Sequence, residues 1–168
     1  MQIFIYLLYI CQIEPINKDT IVLDDKDSMI LKELIADSRL SYREISRRVK
    51  LSVATVKTRV ENLEKGGIIK GYTTILNAQK LGYDVVAVIE IIVSKGKLLD
   101  VEDELAKNPN VYAVYDITGS SDAMIMVRFR RREELSKFVK DILRMEYVER
   151  TITHVVLAAT KEDPRVYI

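Results

Sequence analysis

The sequence predicts an α+β chain in two parts, a three-helix unit followed by a β-α-β-β-α-β unit. Three observations carry this. Between Leu23 and Lys65, apolar residues recur at helical spacing in three short runs separated by turn or capping residues. From Val85 onward, β-branched runs and helical periods alternate as strand, helix, strand, strand, helix, strand. Positive charge is also concentrated in the first part. Nine Lys and Arg stand against three Glu between Arg39 and Lys70, a local excess of six, whereas the whole chain carries +1.

The bounds are those of a soluble globular protein. A chain of 168 residues with 48% hydrophobic and 30% charged residues can bury a real core, in one domain or two small ones. One Cys and one His leave no disulfide and no Cys/His metal cluster, so no metal or cofactor is expected and the cytoplasm is the default location. Residues 1–22 are set apart as an N-terminal extension. Met1–Ile13 is apolar but shorter than a membrane span and lacks the basic start of a secretory signal. It reads as an edge strand or oligomer contact, or as an extension ahead of a true start near Val22.

The first unit, with its linker, spans residues 23–84. Asp24 caps the first helix, Asp27 lies in its first turn, and Ile30, Leu31, Leu34 and Ile35 form its buried stripe. Ser41 and Glu44 stand at capping-box spacing, stapled by Leu40 and Ile45, and open a second helix with Ile45 and Val49 inside. Ser52 caps a third helix, in which Val53, Val56, Val60 and Leu63 share one narrow arc. Gly66–Gly67 stops it, and Gly67–Asn77 reads as a linker strand.

Residues 85–163 form the second unit, with 164–168 as a tail. Val85–Val93 is a continuous β-branched run of the kind buried on both faces. Leu98, Val101 and Leu105 mark a helix ending at Asn108–Asn110. Val111–Thr118 and Ala123–Phe129 are strands joined by Gly119, Ser120, Ser121 and Asp122. Leu135, Phe138, Val139, Ile142 and Leu143 follow the helix template, and a last strand runs over Glu149–Ala159. The order is that of a split-βαβ, ferredoxin-like domain.

The third helix carries the chemistry. Opposite its apolar arc stand Ala54, Thr55, Thr58 and Asn62, flanked by Lys57 and Arg59. Small polar side chains suit base edges and cations suit phosphates, so the last two helices read as a helix-turn-helix. Ser52 and, on the preceding helix, Tyr42, Arg43 and Arg47 complete the candidate DNA face. Arg59, at the edge of the outward arc, is expected on a phosphate. Because one such helix reads only a few base pairs, a symmetric dimer on a palindromic double-stranded operator is expected.

The motifs, taken together in order, resemble the Lrp/AsnC family of leucine-responsive, or feast/famine, regulators. They are Leu23-Asp24-x-x-Asp27-x-x-Ile30-Leu31, Ser41-x-x-Glu44-Ile45-Ser46, Leu51-Ser52, Arg59-Val60-x-x-Leu63-Glu64, Gly67-Ile68-Ile69-x-Gly71-Tyr72, Asn110-Val111, Thr118-Gly119-x-x-Asp122 and the Val148 strand entry. The chain departs at Ser38, where the family has glycine, at Val53, where it has proline, and in the N-terminal extension. The resemblance implies a DNA-binding transcription regulator whose second domain, of RAM or ACT-like type, senses a small amino acid and forms dimers and larger assemblies. It places the effector at Gly119, Ser120, Ser121 and Asp122, with glycine admitting a carboxylate to backbone amides and Asp122 holding an ammonium group. Thr151 and Thr153 on the last strand add hydroxyls to that candidate site.

Other readings are weighed against this one. An enzyme on the same scaffold, resembling siroheme or haem-precursor decarboxylases, wants several converging histidines, and His154 is the only one. An effector-independent DNA-binding protein differs only in an idle loop, and a protein-binding module is disfavoured by the basic cluster. No catalytic residue is expected.

Overall fold

The computed structural model describes residues 23–94 and 96–168, so the expectations for residues 1–22 lie outside the described residues. The described residues form two compact units: residues 23–74 together with Asp163–Ile168, and Ile75–Glu162. Residues 75–84, read from sequence as linker, belong to the second unit and contain a short 3-10 turn over Gln79–Leu81.

In the first unit α1 is Asp25–Ala36, α2 is Tyr42–Val49 and α3 is Val53–Lys65. The capping signals in the sequence act as local physics requires. The Asp24 carboxylate accepts the Asp27 N–H at 2.8 Å, and Ser52 Oγ accepts that of Thr55 at 3.0 Å. Ser41 and Glu44 close a reciprocal capping box. Each cap satisfies amide donors that the first helical turn leaves orphaned, worth about 1 kcal/mol apiece. At the other end of α3, the Ile68 N–H donates to Leu63 O and the Gly67 N–H to Glu64 O, a Schellman closure with Gly67 at φ +72°.

Ile30, Ile45, Val49, Val56 and Val60 make the core of this unit, with Leu34, Leu40, Leu51 and Ile69 packed around it. Ile35 is only partly buried. Val53 departs from its expected place in the stripe and is 44% exposed. A helical side chain covers the turn N-terminal to its own Cα, and the first residue of a helix has no such turn. Residues 67–77, read as a linker strand, pair with no strand among the described residues of this chain. The sequence has strand character there, but a strand needs a neighbour for its amides, and the first unit has helices and no strand among its described residues.

The second unit is a four-stranded antiparallel sheet in the order β2-β3-β1-β4, with β1 Val85–Val93, β2 Val111–Asp116, β3 Ala123–Phe129 and β4 Val148–Val155. Helices α4 (Leu98–Ala106) and α5 (Arg132–Ile142) complete the split-βαβ, ferredoxin-like order. Both pack on one face. Val101, Leu105, Leu135, Phe138 and Ile142 meet Ala87, Ile89, Ile91, Ala123, Ile125 and Val127 there. β1 therefore alternates buried and half-buried residues, and is not buried on both faces as its unbroken β-branched run suggests. Val86, Val88, Glu90 and Ile92 lie on the face that these helices leave uncovered. Leu143, expected in the α5 stripe, follows the last helical residue as its C-cap and is 49% exposed.

Candidate nucleic-acid interface and effector loop

The outward arc of α3 is an open groove lined by Ala54, Thr55, Thr58, Arg59, Asn62 and Leu63, together with Asp27 of α1. Ser52, Ala54, Lys57, Thr58 and Asn62 are exposed, as are Tyr42, Arg43 and Arg47 on α2. Thr55 is half-buried and shares a 2.8 Å hydrogen bond with Ser52 Oγ. Thr58 and Asn62 are accordingly the more available polar side chains of the arc. Lys57 lies 3.8 Å from Glu61 with both groups exposed, an ion pair too loose to hold the lysine from another anion. Tyr72 donates its hydroxyl to Glu64 of α3 at 2.9 Å, and burial, helped by that carboxylate, pushes its pKa up to about 12.

Arg59 lines the groove and is paired within its own unit. Its Nη1 donates to Asp24 Oδ2 at 2.7 Å and to Asp27 Oδ1 at 2.8 Å, and its side chain is only 25% exposed. The hydrogen bonds it donates to Asp27 and then Asp24 hold its pKa above the ordinary arginine value. The guanidinium that the pattern expected on a phosphate ties α3 to the start of α1. Sequence reading missed Asp27 as part of this surface. The signal was present in two carboxylates at Asp24 and Asp27, but which cation they meet is set by helix packing.

The loop between β2 and β3 is built differently. Ser121 is the one buried polar residue among the described residues, and its Oγ donates to Glu90 Oε2 at 2.7 Å. Glu90 also meets His154 Nε2 at 3.1 Å, and the hydrogen bonds from Ser121 and His154 hold its carboxyl below the usual range. Asp122 Oδ2 accepts the Val93 N–H at 2.8 Å, and the Asp122 N–H donates to Ile91 O, latching the loop to the end of β1. Gly119, at φ +135°, and Ser120 remain exposed. The sequence clue to this network was Glu90, the lone charge in VVAVIEIIV, which had to find donors.

The six candidate effector residues do not converge on one face. Thr151 pairs with Ile91 and Thr153 with Ile89, whose side chains face the helices. Glu90, the partner of the Ser121 hydroxyl, projects from the opposite face. Strand alternation put the two threonines on one side but did not say which side. Among the described residues no group of His, Cys, Asp and Glu forms a metal site, and no helix is long and apolar enough to cross a membrane.

Comparison with known proteins agrees with this architecture. A winged helix-turn-helix DNA-binding model matches residues 23–70, and a model described as the Lrp/AsnC ligand binding domain matches residues 86–166. An uncharacterised HTH-type transcriptional regulator of Pyrococcus furiosus is 44% identical over 143 residues, covering 85% of this chain and 97% of that one. The regulator FL11 of the same organism is 37% identical, covering 84% and 93%. Among solved structures, Escherichia coli AsnC superposes with a TM-score of 0.80 at 28% identity, covering 84% of this chain and 97% of that one. A Neisseria meningitidis transcriptional regulator solved as its L-Met complex gives 0.79 at 28% identity, covering 86% and 96%. The relatives are named as regulators of transcription rather than as enzymes, and the helix-turn-helix and sheet units occur in the same order. This chain belongs to the Lrp/AsnC family of DNA-binding transcription regulators.

Proposed function

We propose that the chain acts as a cytoplasmic homodimer, able to form larger assemblies, which reads a palindromic operator through α3 and is tuned by a small amino acid at the β2–β3 loop. The observation that carries the DNA half is the open arc of Ala54, Thr58 and Asn62, with exposed cations at Arg43, Arg47 and Lys57 around it. Polar tips reach base edges while the cations draw in the phosphates, a contact that weakens with salt. Two copies are needed because a single recognition helix spans too few base pairs. The uncovered sheet face, with Val86, Val88, Ile92, Met124 and Met126 half-buried on it, suits a second copy.

Support for the effector half comes from the ligand-binding family of the second unit and from the L-Met complex of the meningococcal neighbour. The local chemistry agrees. Gly119 and Ser120 offer exposed backbone to a carboxylate, and Asp122 spends one carboxylate oxygen on Val93 while its charge remains to attract an ammonium group. The effector biases DNA binding only if it prefers one assembly or dimer geometry over another.

The test is selection of bound duplexes from a random pool, repeated with each of the twenty amino acids, alongside calorimetry and light scattering. The expected result is an enriched inverted repeat, a dimer or larger species at micromolar concentration, and binding of one or a few amino acids that shifts DNA affinity. If no amino acid binds, the effector reading falls while the DNA reading stands. A monomer that enriches a single half-site removes the dimer.

A further inference from the structure

We infer that Asp24 and Asp27 determine operator specificity by withholding Arg59 from the DNA phosphates and fixing the rotation of α3. This rests on α3 being the DNA-reading helix.

Arg59 lies among the groove residues, on the same surface as Thr58 and Asn62, where a free guanidinium meets the phosphate backbone. A phosphate contact is blind to sequence, so a cation there raises affinity for every duplex equally. Instead the guanidinium is held at 2.7 and 2.8 Å by two carboxylates from another helix. The Asp27 side chain is 17% exposed and that of Arg59 25%, so this arm of the pairing is shielded more than an ordinary surface ion pair, whereas Asp24 is 51% exposed. Pulling Arg59 onto a phosphate leaves two unpaired carboxylates facing a polyanion, which opposes the exchange. The pairing also spans α1 and α3 near the middle of α3, which holds Thr58 and Asn62 toward the base edges. Asp24 and Asp27 thus remove a non-specific contact and keep the specific ones aimed.

The experiment compares wild type with D24N/D27N and with D24N/D27N/R59M. Each is titrated, over a range of salt, with the operator obtained by selection and with a scrambled duplex of equal length. Asparagine caps a helix as well as aspartate, so the start of α1 is kept, and circular dichroism with thermal melting checks each fold. The D27N single variant, which leaves Asp24 untouched, gives the same reading in smaller amplitude should the double variant fail to fold. Freed in D24N/D27N, Arg59 finds a phosphate. Scrambled DNA then binds several-fold tighter, the salt dependence steepens by about 0.9 in log–log slope, and the operator preference falls about ten-fold. In the triple variant the slope stays at the wild-type value or above it. A triple-variant slope lower than wild type by about 0.9 identifies Arg59 as a phosphate contact and overturns the proposal, as does an unchanged slope and preference in D24N/D27N. A wild type that binds no duplex in a salt-dependent way instead removes the DNA-reading assignment of α3.

Discussion

The two candidate sites of this chain spend their polar groups in opposite ways. On α3, Thr58, Asn62 and Lys57 face solvent, and the unit is held together by caps and an apolar core beneath them. In the β2–β3 loop the polar groups are consumed at home: Ser121 on Glu90, and Asp122 on the Val93 amide. A surface that must meet a large, charged, pre-formed partner such as duplex DNA can stay open, because the partner's own field gathers it. For a loop proposed to bind a small molecule, internal hydrogen bonds of this kind fix its shape beforehand, which is preorganisation. Arg59 is the exception on the DNA side, being spent internally like the loop residues.

The largest effects are expected from the cores beneath the two sites. Ile45→Ala and Ile125→Ala each truncate a fully buried side chain, in separate clusters, and each should cost about 2–5 kcal/mol in urea unfolding. Hydrogen exchange should then lose protection first in the unit that carries the substitution. Equal loss in both would show that the cores are not independent.

Asp122→Ala removes a charge-assisted acceptor from the Val93 N–H and should cost about 1.5–3 kcal/mol of stability. It should also abolish the response to the amino acid while operator affinity without effector stays near wild type. A large loss of unliganded DNA affinity would mean that the loop and the DNA surface are not separable in the way their hydrogen bonding suggests.

On the open surface, Thr58→Ala and Asn62→Ala should relax base preference by about 1–3 kcal/mol at one position each, with little change in stability. Thr55→Ala, whose hydroxyl already meets Ser52, should alter preference less. Selection of bound sequences with each variant decides the ranking, and identical preferences for all three would deny α3 the reading role.

The smallest effect concerns acid. Hydrogen bonds from Arg39 hold the Asp37 carboxyl at about 2, below its ordinary 3.8. A depressed folded pKa stabilises the fold above the unfolded value and is lost as pH falls toward the folded one. Asp37→Asn should therefore flatten the decline of melting temperature between pH 4 and pH 2 slightly, since the group is exposed. A wild-type decline that is unchanged by the substitution would assign that acid sensitivity to other carboxylates, Glu44 of the capping box among them.

Much of the molecule was legible in the amino-acid sequence because its signals are local. The capping box at Ser41 and Glu44, the caps at Asp24 and Ser52 and the stop at Gly67 each act within three to five residues, so spacing alone identifies them. The element order of both units, the basic balance of residues 39–70 and the outward arc of α3 follow from periodicity and composition in the same way. What tertiary structure decided lies at long range. Arg59 meets carboxylates 35 and 32 residues away, a pairing that only the packing of α1 on α3 creates. Thr151 and Thr153 were sent to the helix side by strand register, which a period of two leaves undetermined until the pairing is known. Gly67–Asn77 has the composition of a strand, yet it pairs with no strand among the described residues of this chain, because composition does not supply the neighbour that a strand needs.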